Sequence, residues 1–189
     1  MKILSVRQGF DADHSSSTYE FFALERLTAK QRQDVSALTG ESARRHLRFH
    51  YHGDWNDLPF AWINQLLTLG YDILVTESYD WWGVYLALPH DPELQKRLAA
   101  YQCDAENGLQ VEGVENRIIL YFGMQLDYNA VYHALGKDPF KGVAELFEGI
   151  REELIEGDLS AVRAHHHTYC KYDEVEEEAE SETLETSLS

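Results

Sequence analysis

Basic residues are scarce in this chain, with 16 Lys and Arg against 33 Asp and Glu. Broad attraction to nucleic acid or to an anionic membrane depends on cationic side chains neutralising phosphates, so the composition argues against both partners. Cysteine is scarcer still. Cys103 and Cys170 form no CxxC pair, which removes a disulfide framework and a four-thiolate zinc site, and both are expected to be reduced thiols. No apolar run reaches the roughly 18 residues that a membrane helix needs. The opening Met1-Lys2-Ile3-Leu4-Ser5-Val6-Arg7 turns polar too soon for a signal peptide, so a cytoplasmic location is expected. GxGxxG, GxxxxGK[ST] and GxSxG patterns are also missing, so neither a phosphate-cradling loop nor a nucleophile elbow has a basis in the sequence.

Acidic charge is what the chain has in excess. Residues 173–189 hold eight carboxylates and no Lys or Arg; taking these eight from the formal −17 leaves −9 on residues 1–172. A single α+β domain is expected over 1–172. The segment 173–189 is expected to be a disordered acidic tail, because it has too little apolar surface to offset the entropy of ordering. Such a tail suits a protein partner with a basic surface.

Patterning along the body predicts hairpins mixed with separate helices. Ile3 to Val6 and Tyr19 to Leu24 alternate as strands, around a polar loop from Gly9 to Thr18. Thr28-Ala29-Lys30-Gln31 has the form of a capping box, and Gly40 closes the helix it opens. His46 to His52 alternates without a fault. Leu47, Phe49 and Tyr51 share one face, and His46, Arg48, His50 and His52 the other. A helix opened by Asp57-Leu58-Pro59 ends at Gly70. Strands at 71–77 and 83–88 flank an aromatic tip, and a helix runs from Asp91-Pro92 to about Tyr101. A second hairpin joins 109–111 to 117–122. A long helix follows from Asp138-Pro139 to Gly157, and a last one from Asp158 to about Tyr172. The expected fold is a mixed or mainly antiparallel sheet with helices packed on it, two of them C-terminal.

The segments Val6-Arg7-Gln8-Gly9-Phe10, Asp13-His14-Ser15-Ser16-Ser17 and Tyr19-Glu20-Phe21 resemble the opening of a set of uncharacterised bacterial proteins. Tyr79-Asp80-Trp81-Trp82, Arg151-Glu152-Glu153-Leu154 and Gly157-Asp158-Leu159 extend the resemblance over most of residues 1–172. It implies no activity, substrate or cofactor.

Several constellations bear chemistry. His50 and His52 on one strand face, Asp54 just after them, and Asp11, Asp13 and His14 in the N-terminal loop offer the mixed imidazole and carboxylate ligands that suit a divalent transition metal. The plainer reading is a solvent-facing strand that carries histidines. In His165-His166-His167, helical geometry separates neighbours by about 100°, so only His166 and Cys170, one turn apart, can approach one ion. Two ligands fall short of a structural zinc site. Asp13-His14-Ser15 contains the residue types of a serine triad, but sequence neighbours seldom form the required line of hydrogen bonds. Tyr79, Trp81 and Trp82 form a candidate partner-binding tip. The competing reading folds one tryptophan back into the core. Two function classes stay open: a non-catalytic interaction or regulatory module, which is favoured, and a small metal-dependent, hydrolase-like enzyme at the His/Asp site.

Overall fold

The computed structural model of the chain describes residues 16–52, 58–78, 81–103, 107–126 and 128–170. The elements in order are β1 (Ser16–Phe22), α1 (Ala29–Thr39), β2 (His46–His52), α2 (Phe60–Leu69), β3 (Ile73–Ser78), β4 (Trp81–Pro89), α3 (Pro92–Ala99), β5 (Leu109–Val114), β6 (Arg117–Gln125), α4 (Tyr128–Leu135), α5 (Pro139–Ile155) and α6 (Ser160–Tyr169). The strands form one six-stranded sheet in the order β2-β1-β3-β4-β6-β5, and every neighbouring pair is antiparallel. Helices pack on it, so the fold is α+β.

Local signals set many element boundaries. Thr28 accepts from the Gln31 amide, while the Gln31 side chain accepts from the Thr28 amide, so the capping box is complete. Gly40 takes the left-handed conformation (φ 76°) that ends α1 and donates its N–H to the Ser36 carbonyl. Asp91 and Asp138 cap α3 and α5, each followed by proline at the first position. Asp158 accepts from the Ser160 amide beside the start of α6. The strand expected at Ile3 to Val6 lies outside the described residues.

One loop assignment is corrected. Ser16, Ser17 and Thr18 belong to β1, not to the preceding loop. β2 pairs with all three and β3 with Ser17 and Thr18, and this pairing holds the polar residues extended. Ser17 and Thr18 are buried there, with the Ser17 hydroxyl donating to Ser78 Oγ at 3.1 Å.

The central strands are apolar on both faces and so divide the core in two. On one face, Val75, Trp82, Val84, Leu86, Leu120 and Phe122 pack under residues of α3, α4, α5 and α6, including Leu98, Val131, Phe147 and Val162. On the other face, Phe21, Leu74, Ala87 and Ile119 pack with Val35 of α1 and Ile63, Leu66 and Leu67 of α2. Strand periodicity of two explains the partition, since neighbours along β4 or β6 feed opposite cores.

A charged knot ties α5 to one end of the sheet. Asp72, at the entrance to β3, accepts from Arg117 at 2.9 Å and Arg151 at 3.2 Å through the same oxygen. Its other oxygen accepts from the Leu24 amide at 3.0 Å. Arg151 Nε also donates to the Ala87 carbonyl at 2.9 Å. Burial presses the Arg151 guanidinium below its ordinary pKa, and the Asp72 carboxylate opposes that effect.

Candidate functional site

The three histidines of α6 separate as helical geometry requires. His165 is buried and donates from Nε2 to the Gly123 carbonyl at 2.8 Å; His166 sits at the rim; His167 is exposed. Burial lowers the His165 pKa, partly countered by that hydrogen bond. His166 Nδ1 lies 3.0 Å from the Tyr101 carbonyl, and a carbonyl only accepts, so Nδ1 carries the proton and the Nε2 lone pair is left for other chemistry.

Cys170 caps α6 by donating its N–H to the His166 carbonyl, which holds the two residues one turn apart. The third member is Cys103, in the connection between α3 and β5. α6 packs beside β5 and so brings its last turn to this connection. The expectation of two separate reduced thiols is corrected here: Cys103 and Cys170 are joined as a disulfide across 67 positions, with Cα atoms 6.0 Å apart. Their sulfurs and a ring nitrogen of His166 all lie within 4.8 Å of one another. This Cys2His cluster can hold a metal ion once the sulfurs are thiolates. It is the only such group of three or more His, Cys, Asp and Glu among the described residues. Helical spacing announced the His166–Cys170 pair. No local pattern announces Cys103.

The expected His/Asp metal site is only partly visible. His14, Asp11, Asp13 and Asp54 lie outside the described residues, as does the serine-triad segment up to Ser15; His52 ends β2 opposite Ser16. The alternation over β2 is as expected, with Leu47 buried and His46, Arg48 and His50 exposed. His50 Nδ1 is 2.8 Å from the Thr18 hydroxyl on the neighbouring strand. His46 Nε2 is 2.7 Å from Glu20, which Arg48 also approaches at 3.4 Å. The strand face is thus an organised polar patch over a buried acid.

Glu20 is only 2% exposed. Desolvation raises its pKa; the His46 hydrogen bond and the Arg48 charge pull it back, and the Asp138 carboxylate adds to the rise. Between the ordinary 4.5 and the raised folded value, the native state keeps a proton that the unfolded chain has released, so stability falls as pH rises through that window. Glu20→Gln removes this titration. The stability of wild type minus that of Glu20→Gln is expected to decline as pH rises above 4.5, as read by urea denaturation at closely spaced pH. A difference independent of pH would contradict a desolvated acid at this position.

At the aromatic tip, Tyr79 lies outside the described residues, Trp81 is partly exposed, and Trp82 is 1% exposed with its ring 5.1 Å from that of Phe140. Trp82 therefore belongs to the core. No helix among the described residues is long and apolar enough to cross a membrane. No protein-family model, curated protein or solved structure matches this chain.

Proposed function

We propose that this chain is a non-catalytic, cytoplasmic interaction module whose C-terminal helix is governed by a thiol switch at Cys103, His166 and Cys170. The observation that carries this reading is the convergence of two sulfurs and one imidazole nitrogen within 4.8 Å. In a reducing compartment, disulfides are mostly transient and regulatory, which suits a pair able to cycle.

Zinc and the disulfide exclude each other. A tetrahedral ion with Zn–S bonds of about 2.3 Å holds its sulfurs about 3.8 Å apart, so the S–S bond must first be reduced. Hydrogen peroxide would reverse this: the two thiolates lose two electrons as the sulfurs bond, the zinc ion is released, and the peroxide takes those electrons with two protons from solvent and leaves as two waters. The Tyr101 carbonyl orients His166 as second-shell partners orient metal-bound imidazoles. The acidic segment 173–189 follows Cys170 closely in sequence, so the switch governs the root of the segment that would engage a basic partner.

Elemental analysis of untagged protein tests this. Reduced protein is expected to retain about one zinc per chain after dialysis, and hydrogen peroxide to release it. Cys103→Ser or His166→Ala should lose the metal, and His50→Ala with His52→Ala should keep it. Zinc-free reduced protein would overturn the proposal. Metal lost with the β2 histidines instead would favour the metal-dependent enzyme at His14, His50 and His52.

A further inference from the structure

In a chain this poor in cations, four arginines gather at one cleft. Arg26, Arg32, Arg44 and Arg45, with Leu27 and Ala43, line an open cleft of about 350 Å³ between the β1–α1 connection, the start of α1 and the α1–β2 connection. That volume falls within the range of small-ligand pockets. We propose that this cleft binds a small organic phosphate, a site independent of the thiol switch.

The charge balance points to an anion. None of the four arginines makes an ion pair with a carboxylate among the described residues, although Glu25, Asp34 and Glu41 lie in the same segments. Arg32 donates to the Leu27 carbonyl, and Arg45 donates to the carbonyls of Ala23 and Leu24. These bonds fix two guanidiniums without neutralising them. The Arg26 and Arg44 side chains make no hydrogen bond or ion pair among the described residues and are exposed. The backbone at Arg44 is anchored, since the Tyr71 hydroxyl donates to its carbonyl at 2.8 Å. The first turn of α1 beside them carries no acidic residue that would cancel its positive end.

The ligand class follows from these groups. Two uncommitted guanidinium forks match the oxygens of a phosphate monoester, which carries about −1.5 to −2 at neutral pH. Leu27, buried, and Ala43, half-buried, offer an apolar wall to the organic part. Inorganic phosphate shares the charge but cannot use that wall.

The test is calorimetric titration of the full chain with phenyl phosphate and with inorganic phosphate at low salt. Phenyl phosphate should bind saturably at one site and more tightly than inorganic phosphate. Arg26→Gln and Arg44→Gln should each weaken it by about tenfold or more, since a hydrogen bond to a charged group is worth about 1.5–3 kcal/mol. Both side chains are exposed, so unchanged thermal melting will verify that these variants fold. Arg97→Gln, whose guanidinium donates to the Gly157 carbonyl far along the chain, should bind as wild type. No saturable binding, or equal weakening by Arg97→Gln, would overturn the proposal. So would a tenfold gain on converting Glu176, Glu177 and Glu178 to Gln, because the chain's own acidic segment would then be the occupant.

Discussion

Asp72→Ala is expected to remove about 3–5 kcal/mol of folding stability, the cost of leaving buried charge unpaired. Arg117 and Arg151 both direct a nitrogen at one Asp72 oxygen, and both guanidiniums are largely shielded, at 19% and 14% exposure. Deleting the carboxylate leaves two cations facing each other with no anion between them, and it orphans the Leu24 amide. Arg117→Ala should cost less, because Arg151 keeps the carboxylate paired. Urea denaturation decides the matter: a loss below about 1 kcal/mol for Asp72→Ala would mean that the knot behaves like a solvated surface pair.

Trp82→Ala should cost a similar 3–5 kcal/mol, whereas Trp81→Ala should fall within about 1 kcal/mol of wild type. The two tryptophans are neighbours on β4 and so point to opposite faces. Trp82 fills the core against Phe140, and truncation leaves a void that α5 cannot close without breaking its own contacts. Trp81 sits where β4 begins, paired with Ser78 and Gln125 and partly exposed. A pull-down partner lost with Trp81→Ala, at unchanged thermal stability, would make the tip a docking element. Unfolding of Trp81→Ala would instead make both rings structural.

What the sequence disclosed divides by range. Thr28 with Gln31, Asp91 with Pro92, and Asp138 with Pro139 act within a single turn, so their helices were readable without tertiary knowledge. The unbroken alternation of His46 to His52 likewise located β2 to the residue. The start of β1 was hidden because its serines are held extended by strands far along the chain rather than by their own propensity. The same holds for the sites. His166 and Cys170 could be paired by helical arithmetic, but Cys103 joins them only through the packing of α6 beside β5. The four cleft arginines are spread over three segments whose approach depends on the fold of α1 against the sheet, and no local pattern marks them. Arg151 stood in a motif that carried the bacterial resemblance, yet its bond to Asp72, 79 positions away, gives that arginine a structural task.

Among the described residues the sheet ends at β2 and β5. At the β2 border the exposed Arg48 puts a cation on the outermost strand, which disfavours edge-to-edge pairing. At the β5 border Glu112 is exposed and Gly113 adds no side chain to a zipper. Aggregation by strand addition is thus hindered by a charged side chain at each margin.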